Sequence, residues 1–355
     1  MSQGQLTVAF HTLGCKLNFS ETSAISRMME GADFRKVPFN EKADIYFIHG
    51  CTVTASADKK TRQLINQTVR KHPGSFIIVA GCYAQVRNKE IAAIKGVDLV
   101  LGTNEKYDIL HFINDLNKRP VPEIHNCERY ELSSFHPAFS TGDRTRAFLK
   151  IQDGCDYSCS YCTIPLARGK SRNQAVSECV KDAREIAEKG IKEVVLTGVN
   201  IGDFGKSTGE SFTDLLEELT QVEGIDRFRI SSIEPNLLND DIIEMVAKNS
   251  KLLPHFHIPL QSGSDRILAG MRRRYRRDVF ASRVQKIREL MPLAGIGADI
   301  IAGFPGETEE DFNDTYEFLD SLDLSYLHVF SYSSRDNTPA AYMAGQLDKR
   351  IKDHR

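Results

Sequence analysis

Cys155, Cys159 and Cys162 form C-x3-C-x2-C in the stretch Lys150-Ile-Gln-Asp-Gly-Cys-Asp-Tyr-Ser-Cys-Ser-Tyr-Cys162. This loop gathers three thiolates and supplies no fourth. Structural zinc closes its shell with four protein ligands, whereas catalytic zinc keeps a position open. An iron–sulfur cluster held by three cysteines leaves one iron open in the same way. The spacing therefore describes an open metal site, a place for chemistry. The competing explanation is a zinc knuckle completed from elsewhere in the chain.

A second set of cysteines is dispersed. Cys15 ends His11-Thr-Leu-Gly-Cys, Cys51 ends Ile48-His-Gly-Cys and Cys82 ends Val79-Ala-Gly-Cys. Each follows a strand-like run and a glycine. Parallel strands point their carboxyl ends to one edge, so these cysteines can converge although 36 and 31 positions separate them. The glycine lets the chain turn sharply and brings backbone close to a bulky group. Three buried core cysteines are the alternative, since free cysteine is often buried. Cys127 and Cys179 lack this context and are read as structural.

The elements that must position these residues alternate between strand and helix. Leu6–His11, Asp44–His49, Ser75–Ala80 and Val97–Leu101 are short runs rich in Val, Ile and Phe, and are expected as buried strands. Ser20–Glu30, Ala57–Lys71 and Tyr107–Asn117 carry helical spacing between them. Such alternation predicts a doubly wound parallel sheet over residues 1–118. Residues 119–146 hold three prolines and two histidines and are expected as a connection. From Ala147 six further strands are expected: Phe148–Gln152, Glu193–Thr197, Phe228–Ser232, His255–Leu260, Gly297–Ala302 and Tyr326–Tyr332. Helical stretches separate them, among them Glu309–Leu322, where Thr308 can cap and the following acids suit the positive helix end. Six units are too few for a closed eight-stranded barrel. The fold class expected is α/β, a doubly wound sheet followed by a partial (β/α)6 barrel over 147–335 and a tail over 336–355.

At 355 residues the chain has room for about two domains of ~150 residues. Hydrophobic residues make up 41% and charged residues 26%, an ordinary globular balance. The net charge of −2 sets up no global field toward nucleic acid, so any such binding must rest on local patches. No apolar run approaches the ~20 residues of a membrane span, so no membrane association is expected. The first ten residues lack a basic segment and a long apolar one, which argues against a signal peptide. A cytoplasmic, reducing location follows, and there eight cysteines are better suited to metal or redox use than to disulfides.

With its aromatic Tyr161 before the last cysteine, the loop resembles the radical S-adenosylmethionine (SAM) signature, and the whole chain resembles the methylthiotransferase family. The likeness runs from about Leu6 to Gly345. It implies that Cys155, Cys159 and Cys162 hold a [4Fe–4S] cluster whose open iron binds the amino and carboxylate groups of SAM. It also implies that Cys15, Cys51 and Cys82 hold a second, auxiliary [4Fe–4S] cluster. The strings Thr12-Leu-Gly-Cys-Lys-Leu-Asn18, Lys150-Ile-Gln-Asp-Gly-Cys155, Arg229-Ile-Ser-Ser-Ile-Glu-Pro235 and His257-Ile-Pro-Leu-Gln-Ser-Gly-Ser264 resemble the MtaB type. That type adds a methylthio group at C2 of N6-threonylcarbamoyladenosine, at position 37 beside the tRNA anticodon. The sister types act on isopentenyladenosine or on a ribosomal-protein aspartate.

The chemistry fits. An aromatic C2–H is not acidic enough for removal by an ordinary base, so a cofactor must carry that step. The resemblance implies that one SAM is cleaved to methionine and a 5′-deoxyadenosyl radical, and that a second provides the methyl group. An electron donor such as flavodoxin or ferredoxin is implied as well. Further SAM contacts implied by the likeness are Tyr161, Gly198 and Asn200 in Thr197-Gly-Val-Asn200, Glu234, Gln261, and Ile301 in Ile300-Ile-Ala-Gly-Phe-Pro-Gly306. For each the alternative is a turn or fold-supporting role.

From Arg272 to Arg288 there are eight basic residues against one acid. Phosphate contact to a tRNA anticodon stem-loop is the functional expectation for Arg272, Arg273, Arg274, Arg276 and Arg277, with Tyr275 available for stacking. A solvated helix face is the plain alternative. Lys59-Lys-Thr-Arg62 is a smaller patch, for which the plain reading is favoured. Relatives usually continue into a small RNA-binding β-barrel domain (TRAM), and no strand-rich segment follows here before Arg355. Two other functions compete: a cobalamin-dependent radical SAM methyltransferase, against which the missing Asp-x-His-x-x-Gly loop counts, and a metal-stabilised RNA-binding protein.

Overall fold

The computed structural model describes residues 5–142 and 145–355. The first four residues of the amino-terminal stretch, and 143–144 of the expected connection, lie outside the described residues. Contacts divide the chain into two units: Met1–Asp143 with Gly154–Asp156 and Thr163–Lys170, and Arg144–Asp153 with Tyr157–Cys162 and Ser171–Arg355.

The first unit is built on β1 (Thr7–Thr12), β2 (Arg35–Val37), β3 (Ile45–Gly50), β4 (Phe76–Gly81), β5 (Leu99–Leu101) and β6 (Glu123–His125). They form one all-parallel sheet in the order β2-β1-β3-β4-β5-β6. Helices α1 (Lys16–Glu30), α2 (Ala55–Lys71), α3 (Cys82–Ala92) and the short α4 (Ile109–Phe112) belong to this unit. Every residue of β3 and β4 is buried, as a parallel sheet covered on both faces requires. Tyr46 and Ile48 pack into one apolar layer with Ile77 and Val79, while Ile45 and Phe47 pack into the other with Ile78 and Ala80. The strand order reverses direction between β1 and β3, the place where doubly wound sheets open a crevice at their carboxyl ends.

Three features differ from expectation. β2 and β6, three residues each, are too short to show a period, and β6 brings part of 119–146 into the sheet. The helix expected over Tyr107–Asn117 is confined to a 3-10 turn at Glu105–Asp108 followed by α4. Beyond it Asn114 donates to the carbonyl of His111 and Asp115 accepts from the amide of Asn117, local bonds that compete with helix.

The second unit carries β7 (Ala147–Lys150), β8 (Gln152–Asp153), β9 (Arg172–Asn173), β10 (Glu193–Thr197), β11 (Arg227–Ile230), β12 (His255–Gln261), β13 (Gly295–Ala302) and β14 (Tyr326–Ser331). Of its helices, α6 (Val176–Glu188), α7 (Phe212–Thr220), α8 (Asp240–Lys248), α9 (Asp265–Gly270), α10 (Arg277–Leu290) and α11 (Glu309–Asp320) separate strands, and α12 (Lys349–His354) closes the chain; the short α5 (Ile164–Arg168) falls in the first unit. Parallel pairing runs β7-β10-β11 and β12-β13-β14. Isolated parallel bridges Phe228–Leu252 and Ser232–His257 join the halves, giving six strands in chain order. This is the partial barrel that the sequence predicts. Thr308 caps α11 in a reciprocal box with Asp311. The 336–355 tail is packed: Ala340 is buried, and Arg355 pairs with Glu307 at 2.6 Å.

Candidate active site

In the first unit each cysteine of the dispersed set follows the carboxyl end of a strand. Cys15 follows β1 as the residue before α1, Cys51 follows β3, and Cys82 opens α3 directly after β4. Since β1, β3 and β4 are neighbours in the sheet, the three positions share one edge. Gly14 has φ +114°, and a Cβ there would lie 2.7 Å from Cys51 Cβ, so only glycine lets Cys15 come this close. The thiols feel one another: burial, then the neighbouring Cys82 and Cys15 sulfurs, push Cys51 up to about 12. Burial also raises Cys82, opposed by Arg168 and Lys106.

A buried polar network supports this edge. Arg168 donates to Cys82 Sγ at 3.1 Å, to Asn18 Oδ1 at 2.8 Å and to both carboxylate oxygens of Glu21 at 2.9 and 3.0 Å. Lys106 meets Glu21 at 2.7 Å, and His49 lies 3.6 Å from the same carboxylate. All four ionisable side chains here are at most 1% exposed. Two buried cations against one carboxylate suit an anionic group at the thiols, and several thiolates around metal are such a group. The cysteine positions thus fit an auxiliary cluster. Of this network Asn18 lies inside a quoted string, but a buried Arg or Lys gives no sequence signal of its own.

The C-x3-C-x2-C loop follows β7 and β8. Cys155 falls in the first unit, where its amide donates to the carbonyl of Gly169 at 3.1 Å. Gly154 has φ +70°, and a Cβ there would stand 1.9 Å from the carbonyl oxygen of Lys170. Cys159 and Cys162 fall in the second unit. There the loop is pinned by Ser160, whose amide donates to Met271, whose Oγ donates to Gly270, and whose carbonyl accepts from the Ala340 amide at 2.8 Å. Upstream, Asp153 holds Lys150 at 2.7 Å and Arg172 at 3.3 Å in a buried triad. Gln152 Oε1 accepts from the amides of Val199 and Asn200, which accounts for the polar residues of that string.

Arg273 is the residue that sequence reasoning misplaced. Its side chain is 3% exposed; it donates to Cys159 Sγ at 3.1 Å and to Tyr161 Oη at 3.4 Å, and forms an ion pair with Glu234. It therefore takes no part in a surface phosphate patch. Tyr275 is also buried, donating to the carbonyls of Pro259 and Leu260, and is not available for base stacking. Arg272, Arg274 and Arg276 are exposed, and Arg277 is half-buried against Phe318.

The other expected SAM contacts lie around the carboxyl ends of the barrel strands. Gly198 follows β10, and a Cβ there would lie 2.8 Å from Gln152 Oε1. Asn200 is buried; its Nδ2 donates to Asp203, and its Oδ1 has no partner among the described residues. A buried acceptor left open in this way fits a bound ligand. Gln261 ends β12 at a register shift with φ +70°, a left-handed conformation held against its usual cost. Ile301 on β13 and Tyr161 each pack against the buried cluster that holds Met271 and Phe304.

Comparison with known proteins identifies the family. Residues 7–102 match the family described as "Uncharacterized protein family UPF0004", and residues 149–319 match the radical SAM superfamily. The chain is 45% identical to the "Threonylcarbamoyladenosine tRNA methylthiotransferase MtaB" of Bacillus subtilis, covering 98% of this chain and 78% of that protein. It is 39% identical to the protein of the same name from Aquifex aeolicus, with 99% and 86% covered. A "tRNA-2-methylthio-N(6)-dimethylallyladenosine synthase" from Clostridium tetani is 33% identical, with 98% and 79% covered. Among solved structures, the radical SAM methyltransferase TsrM of Kitasatospora setae superposes with a TM-score of 0.69 at 13% identity, covering 95% of this chain and 77% of that one, a likeness of fold alone. A radical SAM enzyme works with SAM and a [4Fe–4S] cluster. The chain belongs to the radical SAM tRNA methylthiotransferases, and among them to the MtaB type.

Proposed function

We propose that this enzyme inserts a methylthio group at C2 of N6-threonylcarbamoyladenosine at position 37 of tRNA, with SAM as both radical source and methyl donor. The carrying observation is the pair of cysteine triplets, each following the carboxyl ends of parallel strands and each touched by one buried arginine. Cys155, Cys159 and Cys162 would hold the cluster that binds SAM. Cys15, Cys51 and Cys82 would hold a second cluster. When bound, these groups supply one-electron cleavage of SAM and a site for sulfur. The chain's own residues do the rest. Arg273, fixed by Glu234, places positive charge against Cys159, and hydrogen bonds of this kind govern cluster potential. Asn200 Oδ1 offers an acceptor to the SAM amino group. Ile301, packed on the buried Phe304 and Met271, gives an apolar surface that would keep water from a reactive radical. The exposed Arg272, Arg274 (which also lies over the Tyr157 ring) and Arg276 would meet tRNA phosphates. The substrate preference rests on relatives of the threonylcarbamoyl type at up to 45% identity, against 33–34% for the dimethylallyl type. Mass spectrometry of tRNA nucleosides from a deletion strain tests it. Loss of the methylthio-threonylcarbamoyl nucleoside is expected, and loss of the isopentenyl form instead would contradict the substrate.

A further inference from the structure

Ser232, His257, Asp299 and His328 form a polar chain across the barrel face that the functions above do not use. Ser232 Oγ lies 2.6 Å from His257 Nδ1, His257 Nε2 lies 2.9 Å from Asp299 Oδ1, and His328 Nδ1 lies 3.1 Å from the same oxygen. Three of the four stand on β12, β13 and β14, so rigid strands hold the spacing. Phe256 and Ile258 flank His257, and Ala298 and Ile300 flank Asp299, all buried on the opposite side, while Leu327 and Val329 beside His328 are exposed. His257 and Asp299 therefore stand on the face away from that buried layer. Asp299 precedes Ile301 by two positions on β13, the same face and about 6.6 Å along the strand.

The protonation pattern follows from the partners. Asp299 accepts from both imidazoles, so His257 donates at Nε2 and accepts the hydrogen bond of the Ser232 hydroxyl at Nδ1. Held through Nδ1, His328 is half exposed, and its Nε2 makes no hydrogen bond among the described residues. That nitrogen accepts when the ring is neutral and donates when it is charged. Toward Ile301 the wall becomes apolar, with Tyr161 and Phe304. A planar base suits the apolar level, and whatever projects from the base meets the polar one.

We propose that His328, oriented by Asp299 and backed by His257 and Ser232, is the subsite that reads the N6 substituent of the target adenine, and that it takes a hydrogen-bonding substituent with urea, hydroxyl and carboxylate groups. This rests on the threonylcarbamoyl substrate proposed above. An isopentenyl group would cover His328 Nε2 without giving it a partner, the situation in which a polar site discriminates most strongly.

The test uses the full chain with its clusters loaded and three anticodon stem-loop RNAs: threonylcarbamoylated, isopentenylated and unmodified at position 37. Wild type is expected to bind the first about tenfold or more tighter than the third. His328→Phe and Asp299→Asn, checked for unchanged iron content, are expected to bring that ratio within about twofold. A ratio preserved in both variants, while wild type still makes the threonylcarbamoyl product, overturns the subsite alone. Methylthiolation by wild type of the isopentenyl RNA instead overturns the substrate and the subsite together. Two histidines and a carboxylate can also hold a divalent metal. One equivalent of zinc retained by wild type through dialysis, and lost in His328→Phe, would make the group a metal site and overturn the proposal.

Discussion

Arg168 and Arg273 each spend a buried guanidinium on one cysteine sulfur at 3.1 Å, and each is held by a carboxylate, Glu21 or Glu234. Removing one partner of a buried pair costs about 3–5 kcal/mol, because the other charge stays behind unpaired. Arg168→Leu is therefore expected to lower the urea midpoint and to lose the iron bound at Cys15, Cys51 and Cys82 while keeping that at Cys155, Cys159 and Cys162. Iron analysis beside a urea titration checks this, and full iron at an unchanged midpoint would remove Arg168 from the account. Arg273→Gln is expected to shift the cluster's reduction potential downward, read by redox titration, since a charged donor to sulfur stabilises the reduced form. The exposed arginines behave differently. Arg272→Ala, Arg274→Ala and Arg276→Ala are each expected to weaken tRNA binding uniformly and to reduce the salt slope by up to about one. A salt slope unchanged in all three would show that they face solvent only. Sequence gave no means of separating Arg273 from its neighbours, because its burial is decided by Glu234, 39 positions away.

At the scale of elements, α11 offers a clean measurement. Burial alone would push the Asp311 carboxyl up, but hydrogen bonds from Arg266, Thr308 and Ser264 outweigh it and hold the carboxyl well below its usual range. A depressed carboxyl stabilises the fold above the unfolded value of about 3.9 and loses that contribution as pH falls through the folded value. The stability gap between wild type and Asp311→Asn is thus expected to be full at neutral pH and to narrow below about pH 4. Thermal melts at pH 7 and pH 3 check it, and a gap that widens in acid would contradict it. Thr308→Ala is expected to cost about 1 kcal/mol through the lost cap. This helix start was plain in the sequence, as were the six barrel strands, since both depend on local residue pattern. β2, β6 and the shortened α4 were not, because three-residue strands show no period and the end of α4 is set by Asn114 and Asp115. Likewise the placement of the six cysteines after strands was legible from spacing and from strand ends. The His257, Asp299 and His328 group was not, because it joins three strands that only the sheet brings together.

At the scale of the molecule, the chain carries two cysteine sets, one dispersed after β1, β3 and β4 and one gathered in the loop after β7 and β8. The proposed function gives Cys155, Cys159 and Cys162 the cleavage of SAM, and Cys15, Cys51 and Cys82 the delivery of sulfur. The division of labour is open to direct test because the two sets belong to different elements and can be removed one at a time. The decisive measurement is product analysis of an anaerobic reaction containing reductant, SAM and threonylcarbamoylated tRNA, with wild type, Cys155→Ala and Cys82→Ala. The account expects Cys155→Ala to form neither 5′-deoxyadenosine nor methylthio nucleoside. Cys82→Ala is expected to form 5′-deoxyadenosine but no methylthio nucleoside. Methylthio nucleoside produced by Cys82→Ala at the wild-type level would contradict the claim that the dispersed cysteines carry sulfur insertion.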